Sequence, residues 1–385
     1  MHQVSAYIIA ARRTALGRVG GLHRGRRIDA LAGPVVEAVL ADAHIKPAEV
    51  DEIIVGNATE GGNPARLIAL AAALGETVTA TTIDRQCGSG LEAILAGARA
   101  IALGEAEIVV AGGAESLSTA PWRILRPRTL YQTPQFLRYE PAMTDTADEP
   151  QPFEASESMA RRFGISRSAQ DQWALRTHQN AEAAREARRF VGEIVPLRGN
   201  AEEMRDQSAA LPEADDFDDA VPFLPENGTL TPANTSAMHD GAAMVVIVSQ
   251  DVWQRLGQPP ALRLLKSASL GVMPAEEADA PIEATKKLYK RLNGFNPKDI
   301  GIVELSESSA AQAIAYTSSL GFDEAIVNPD GGAIVRGHPF GASGAVLVVR
   351  LFTRMVRAGE GAPRFGLAAQ GAIGGLGTTA LFERV

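Results

Sequence analysis

Apolar and polar positions follow two different periods along the first part of the chain. Nearly continuous apolar runs occupy residues 7–11, 52–57 and 107–113, whereas apolar residues recur at helical spacing over 30–43 and 64–74. The short runs predict buried strands, and the spaced pattern predicts helices, the first capped by Asp29. Strands that alternate with helices of this length predict an α/β fold with a parallel sheet covered on both faces.

The pattern changes after residue 117. Prolines become frequent, at 121, 127, 134, 141, 150 and 152, one amphipathic helix is predicted over 169–189, and an acidic stretch follows at 213–219. This segment is interpreted as an insertion carried by the sheet domain, either a substrate-binding lid or a solvated elaboration.

An α/β pattern resumes near residue 240 and continues to the end of the chain. It predicts strands at 300–305, 364–369 and 378–383, helices at 308–320 and 345–358, and a glycine turn at 371–377. The predicted organisation is therefore an N-terminal half (1–117), an inserted domain (118–228), the completion of the N-terminal half (229–258) and a C-terminal half (259–385).

Charge and composition restrict the partners of the protein. The chain has 37 basic and 46 acidic residues, a net charge of −9, and this balance disfavours nucleic acid and anionic membrane surfaces. No apolar run reaches the roughly 18 residues that a membrane helix needs, and no signal peptide is expected before the first strand. A single cysteine excludes an intrachain disulfide and a CxxC metal site, so we expect a reducing, cytoplasmic setting and no metal.

The single cysteine, Cys87, lies between a predicted strand at 78–83 and a predicted helix at 91–103, in the stretch Gln-Cys-Gly-Ser-Gly. A helix N-terminus favours a thiolate, which would make this residue a nucleophile. A lone cysteine is also commonly a small buried apolar residue. The local sequence leaves both interpretations open.

The second half of the chain repeats this arrangement around His338. A glycine loop at 337–344 opens a helix that leads to the strand at 364–369, just as the Cys87 corner opens a helix that leads to the strand at 107–113. Two copies of one unit would place the two corners face to face and bring His338 near Cys87. A cysteine paired with a histidine base is suited to acyl transfer.

Five stretches together resemble the thiolase family, whose members make or break 3-ketoacyl-coenzyme A. They are residues 84–91, 111–118, 228–243, 328–344 and 374–377, in family order over nearly the whole chain. The resemblance implies a duplicated αβαβα layered fold with an inserted loop domain that holds coenzyme A. It also implies a homodimer or homotetramer, acyl-CoA or acetyl-CoA as the thioester substrate, and no tightly bound cofactor.

The resemblance also implies roles for individual residues. Cys87 would be the acylated nucleophile, His338 would activate it and help to stabilise the oxyanion, and Ser236 would lie beside the pantetheine arm of coenzyme A.

Two departures from the family pattern concern the carbon–carbon step. Residues 306–309, Ser-Glu-Ser-Ser, stand where the family has Asn-Glu-Ala-Phe, so Ser306 replaces the asparagine that holds a water and Ser309 replaces the phenylalanine near the substrate, while Glu307 is retained. Gly371, or Ala372 if the turn is shifted by one, replaces a second cysteine that acts as acid and base. Neither can carry a proton, so Ser306, Glu307, Ser308 and Ser309 are the candidates for substitutes.

Three functions follow from these features. The first is a thiolase-like acyl-CoA acyltransferase with a substituted acid/base group. The second is a Cys–His enzyme that transfers or hydrolyses acyl groups without carbon–carbon chemistry. The third is a non-catalytic subunit that binds acyl-CoA.

Overall fold

The computed structural model describes residues 5–136, 153–197, 201–207, 212 and 214–385. Its strands are β1 (Tyr7–Arg13), β2 (Gly17–Arg18), β3 (Glu52–Gly56), β4 (Thr79–Ile83), β5 (Ile108–Glu115), β6 (Ile124–Leu125), β7 (Gln135–Phe136), β8 (His239–Val248), β9 (Leu262–Gly271), β10 (Ile300–Leu305), β11 (Phe365–Ala372) and β12 (Leu376–Arg384). Its helices are α1 (Ile28–Ala43), α2 (Pro64–Ala71), α3 (Ser89–Leu103), α4 (Glu154–Phe163), α5 (Arg167–Glu186), α6 (Ala214–Asp218), α7 (Gln250–Arg255), α8 (Ala280–Tyr289), α9 (Ala310–Leu320), α10 (Ala333–Arg336) and α11 (Phe340–Phe352).

The main sheet consists of two halves with the same internal order. Strands run β10-β11-β12-β9 in one half and β1-β8-β5-β3-β4 in the other, and β1 joins β9 through the pairs Tyr7 with Arg263 and Ile8 with Leu262. In each half a parallel pair, β3–β5 or β10–β11, is followed by antiparallel neighbours. The sheet is thus mixed rather than parallel throughout, because β8 and β12 each run back against the strand beside them.

Five layers of helices and sheet account for the hydrophobic core. The central helices α3 and α11 pack between the two half-sheets and contribute residues to one shared apolar cluster. The helices α1 and α2 cover the other face of the N-terminal half, and α8 and α9 cover that of the C-terminal half. Because each half-sheet has apolar side chains on both faces, both of its faces are buried, as the continuous apolar runs predicted. The duplicated αβαβα fold is confirmed.

Several element boundaries differ from those predicted. The first helix begins at Ile28, so Asp29 lies in its first turn and does not cap it. The last central helix begins at Phe340 because the glycine loop is itself helical. Gly371 belongs to β11 rather than to a turn.

Within residues 153–197 of the inserted segment, two α-helices replace the single helix predicted over 169–189, and the short helix α6 forms in the acidic stretch. The helices α4 and α5 are separated near Ser166, whose hydroxyl caps α5 by accepting a hydrogen bond from the N–H of Ala169 at 3.2 Å. The prolines at 141, 150 and 152 and the acidic residue at 213 lie outside the described residues. The domain limits derived from the sequence stay predictions.

A buried charge network ties the inserted segment to both halves. The carboxylate of Glu193 accepts from Arg13 at 2.5 Å and from Arg350, and Arg350 also pairs with Asp330. These four side chains are fully buried, so each charge depends on its partner for the solvation that it has lost. The insertion is therefore held in a fixed position relative to the central helices.

Candidate active site

Cys87 lies at the corner between β4 and α3, two residues before the helix begins. Gln86 adopts a positive φ of 53°, and the hydroxyl of Ser89 closes the turn by accepting from the N–H of Arg85 at 2.8 Å and donating to the carbonyl of Gln86 at 2.6 Å. Gln370 of β11 donates to the carbonyl of Cys87. This turn fixes the backbone of Cys87, whose side chain is 7% exposed.

The loop of His338 is fixed equally firmly. The N–H of His338 donates to the carbonyl of Ala237 at 2.8 Å, and its carbonyl accepts from the N–H of His239 at 3.1 Å. Gly337 has a φ of 98°, and a Cβ there would lie 2.1 Å from the ring of His239, so only glycine fits. The ring of His338 then faces two groups, Cys87 Sγ at 3.1 Å from Nε2 and Ser343 Oγ at 2.8 Å from Nδ1.

The two corners meet because α3 and α11 begin against each other without intervening side chains. A Cβ on Gly90 would lie 2.6 Å from the carbonyl oxygen of Gly341, and a Cβ on Gly344 would lie 2.6 Å from the nitrogen of Leu91. Glycine at these positions allows the helices to approach at backbone distance. The duplicated unit therefore brings the side chains of Cys87 and His338 together, as predicted, although they are 251 residues apart in the sequence.

Glu115, at the end of β5, fastens the same junction. Its buried carboxylate accepts from the N–H of Gly341 at 2.9 Å, the N–H of Ala58 at 3.0 Å and the amide of Asn57 at 2.8 Å. Burial raises the pKa of Glu115 to about 7, although these donors favour its charged form. The first turn of α11 is thus anchored to the N-terminal half.

Burial decides the protonation of the Cys–His pair. It raises the pKa of the Cys87 thiol to about 12, and the carboxylates of Glu277 and Glu115 act in the same direction. The backbone N–H groups of Ile373 and of Cys87 itself favour the thiolate but do not outweigh burial. The expectation that the helix N-terminus would produce a thiolate is therefore corrected.

The imidazole of His338 is also neutral at rest. Burial, with the nearby His239, lowers the pKa of His338 to about 4. In the neutral pair, the thiol of Cys87 donates to Nε2 and Nδ1–H donates to the hydroxyl of Ser343. Such a pair transfers the thiol proton to the imidazole as the sulfur attacks.

The two serines expected to contact the substrate have different surroundings. Ser236 is partly exposed, and its N–H and hydroxyl face the carbonyl of Ser308 at 3.1 and 3.4 Å. Ser309 is fully buried, and its hydroxyl caps α9 by accepting from the N–H of Gln312 at 3.2 Å. The hydroxyl of Ser309 thus serves as a helix cap, and its expected substrate contact stays a prediction.

The other predicted substitutes lie beside β11 or beneath the glycine loop. Ser306, 5% exposed, donates its N–H to the carbonyl of Ala369 at 3.0 Å. The buried carboxylate of Glu307 accepts from Trp173 at 3.1 Å and from the N–H of Ile334 at 3.3 Å. These contacts hold the insertion against α10, so the acid/base role considered for Glu307 is not supported by its partners.

Gly371 lies opposite Gly377 in the β11–β12 hairpin. A Cβ on Gly371 would lie 3.3 Å from Pro281 and 3.6 Å from the backbone carbonyl oxygen of Glu277. Glu277 belongs to a 3-10 turn, Pro274–Asp279, and its Oε2 accepts from the N–H of Gly374 at 3.2 Å. The sequence had not indicated Glu277, because it lies in no motif and its neighbourhood depends on how β9 and β12 pack.

Among the residues that the structure describes, no helix is both long enough and apolar enough to cross a membrane.

Two family models together match almost the whole chain. The model described as the thiolase N-terminal domain matches residues 6–251, and the one described as the thiolase C-terminal domain matches residues 258–384.

Individual proteins give the same result. The chain is 36% identical to an acetyl-CoA acetyltransferase of Cupriavidus necator and 35% identical to a putative acetyl-CoA C-acetyltransferase of Staphylococcus epidermidis, with 98% of each chain covered in both cases. A crystal structure of the Bacillus anthracis acetyl-CoA acetyltransferase superposes with a TM-score of 0.91 at 31% identity, over 100% of this chain and 99% of the other. Fold, corner geometry and similarity agree, and the protein belongs to the thiolase family.

Proposed function

We propose that the protein is an acyl-CoA acyltransferase that works through an acyl thioester on Cys87. The observation that carries this proposal is the 3.1 Å contact between Cys87 Sγ and His338 Nε2, which joins a nucleophile to its base at the meeting point of the two halves. The relatives of the chain are acetyl-CoA acetyltransferases, which favours acetyl-CoA as the acyl donor.

In the acylation step, His338 accepts the thiol proton at Nε2 while Sγ attacks the carbonyl carbon of the thioester. The bond from Nδ1 to Ser343 keeps the ring in one orientation and stabilises the imidazolium that forms. The backbone N–H groups of Cys87 and Ile373 favour negative charge on the sulfur as the thiol loses its proton. The bond between the carbonyl carbon and the coenzyme A sulfur then breaks, His338 gives its proton to the departing sulfur, and the acyl group stays on Cys87.

Substrate binding and assembly are part of the same proposal. Coenzyme A thioesters act as substrates, with Ser236 beside the pantetheine arm, and no tightly bound cofactor is required. We propose a homodimer or homotetramer that works in the cytoplasm.

Intact-protein mass spectrometry tests the proposal directly. After incubation with acetyl-CoA, we expect the mass to rise by one acetyl group, with the adduct mapped to Cys87. Cys87→Ser should lack this thioester adduct, and His338→Ala should form it about 10²- to 10⁴-fold more slowly because a positioned base is lost. An unmodified wild-type protein would contradict the proposal and leave a binding subunit as the alternative.

A second assay distinguishes acyl transfer from hydrolysis. With a 3-ketoacyl-CoA and free coenzyme A, a thiolase reaction yields two shorter thioesters. Release of free acid instead would assign the protein to the hydrolases, with Cys87 acylation retained.

A further inference from the structure

The place at which the family resemblance expects a second proton carrier holds Gly371, which has no side chain. A glutamate on another element nevertheless lies beside this place, with its backbone next to Gly371 and its carboxyl bound to the N–H of Gly374. Glu277 lies on the 3-10 turn Pro274–Asp279, and its own carbonyl oxygen is within 3.6 Å of where a Cβ of Gly371 would stand.

We propose that Glu277 is the general acid and base of the carbon–carbon step, in the place where the resemblance expects a cysteine. This inference rests on the proposed acylation of Cys87 and concerns a residue that none of the family motifs contains.

Two consecutive peptide groups hold the carboxyl and the nucleophile together. The N–H of Ile373 favours the thiolate of Cys87, and the next N–H along the chain, that of Gly374, donates to Glu277 Oε2 at 3.2 Å. Adjacent amide groups of one turn are only a few ångströms apart, so both residues lie beside the turn that follows Gly371. A substrate carbon attached to Cys87 would face this carboxyl.

The electrostatics of the site agree with this placement. Among the charges around Cys87, that of Glu277 does most to raise the pKa of the thiol, ahead of Glu115. Burial raises the pKa of Glu277 itself above its ordinary value. A carboxylic acid with a raised pKa is the form that can donate a proton and later recover it.

The other acidic side chains nearby accept hydrogen bonds that hold elements of the fold together. Glu115 accepts from two backbone N–H groups and from Asn57 at the α11 junction. Glu307 accepts from Trp173 and Ile334 beneath the glycine loop. By contrast, the bond from Gly374 orients Glu277 and leaves its second oxygen available for a substrate proton.

In the cleavage direction, the first half of the reaction forms acyl-Cys87. Sγ attacks the 3-keto carbon of the substrate and the thiol proton passes to His338. The bond between carbons 2 and 3 breaks, and its electron pair takes the proton of the Glu277 carboxyl. Acetyl-CoA leaves, and the enzyme holds an acyl thioester, an imidazolium and the Glu277 carboxylate.

The second half restores the enzyme. The imidazolium of His338 first loses its proton to water and the Glu277 carboxylate takes one up from water, so both groups return to their resting forms. The thiol of free coenzyme A then gives its proton to His338 and attacks the acyl thioester. The bond between the acyl carbon and Sγ breaks, and Cys87 leaves and recovers its proton from His338. Cys87, His338 and Glu277 are then back in their starting forms, so the cycle needs no reactant besides 3-ketoacyl-CoA and coenzyme A.

The test compares two half-reactions in Glu277→Gln. We expect thiolysis of a 3-ketoacyl-CoA, and deuterium exchange at the methyl group of acetyl-CoA in heavy water, to fall about 10²- to 10⁴-fold. Acylation of Cys87 by acetyl-CoA should not slow, because it uses only Cys87 and His338. The matched control Glu276→Gln changes the exposed neighbour on the same turn and should leave all three rates unchanged.

Each alternative outcome has a distinct meaning. Thiolysis and exchange at wild-type rates in Glu277→Gln would overturn the assignment, and so would an equal loss of acylation, which would indicate a structural role. A wild-type protein that acylates Cys87 but neither cleaves 3-ketoacyl-CoA nor exchanges deuterium would overturn this inference alone. Absence of acylation in the wild type would overturn the proposed function itself.

Discussion

The reactivity of Cys87 towards iodoacetamide should report its protonation directly, because it is the only thiol in the chain. The experiment varies pH, because burial raises the pKa of the Cys87 thiol from 9.0 to about 12. Such a shift lowers the thiolate fraction at pH 7.5 about 1000-fold. The more basic thiolate is intrinsically about 20- to 30-fold more nucleophilic, so the net rate should be about 30- to 60-fold below that of an ordinary cysteine.

The assay follows alkylation by intact mass between pH 7 and 10, with the same protein unfolded in guanidinium as the reference. In the folded protein, the rate should rise about tenfold per pH unit across this range, because the pKa lies above it. The unfolded chain should approach a plateau above its ordinary pKa. A plateau in the folded protein below about pH 9 would refute the reasoning and indicate a thiolate–imidazolium pair at rest.

Three further predictions test the surroundings of the pair. Ser343→Ala removes the 2.8 Å contact to His338 Nδ1, so single-turnover acylation should slow about 10- to 100-fold; an unchanged rate would argue against an orienting role. Gly337→Ala combines a φ of 98° with a Cβ placed only 2.1 Å from the ring of His239, whereas Gly361→Ala has a φ of 79° and open space. In urea denaturation, the free energy of unfolding should fall by about 3 kcal/mol or more for the first and about 1–2 kcal/mol for the second, and equal losses would contradict this. Arginine partners lower the pKa of Glu193 to about 2. The stability that the Glu193 carboxylate gives the folded protein should therefore be complete above its ordinary pKa and lost as pH falls towards 2. The melting temperatures of wild type and Glu193→Gln should accordingly converge below pH 4.5.

The general architecture could be predicted because strands buried on both faces appear as uninterrupted apolar runs. The two functional corners could also be predicted, since glycines next to Cys87 and His338 mark places where backbones approach closely. The direction of the Cys87 pKa shift could not, because it depends on burial by the C-terminal half, whereas the sequence shows only the local helix start.

Contacts between distant segments explain the remaining differences. Glu277 has no sequence signal, since its relation to Cys87 exists only after the turn before α8 packs against the β11–β12 hairpin. Ser309 occupies a position where the resemblance implies substrate contact, yet its hydroxyl is used by the backbone of α9. A motif position therefore indicates where a residue lies, whereas its role depends on which neighbours occupy its hydrogen bonds.

The junction of α3 and α11 has a consequence for biosynthesis. The ribosome completes the Cys87 corner long before it reaches His338, 251 residues later. Until α11 packs against α3, the thiol lacks both its base and part of its cover, so it should behave as an ordinary cysteine, open to oxidation. Docking of the last central helix would then protect the thiol and create the catalytic pair in one event, so that only fully folded chains become reactive towards thioesters.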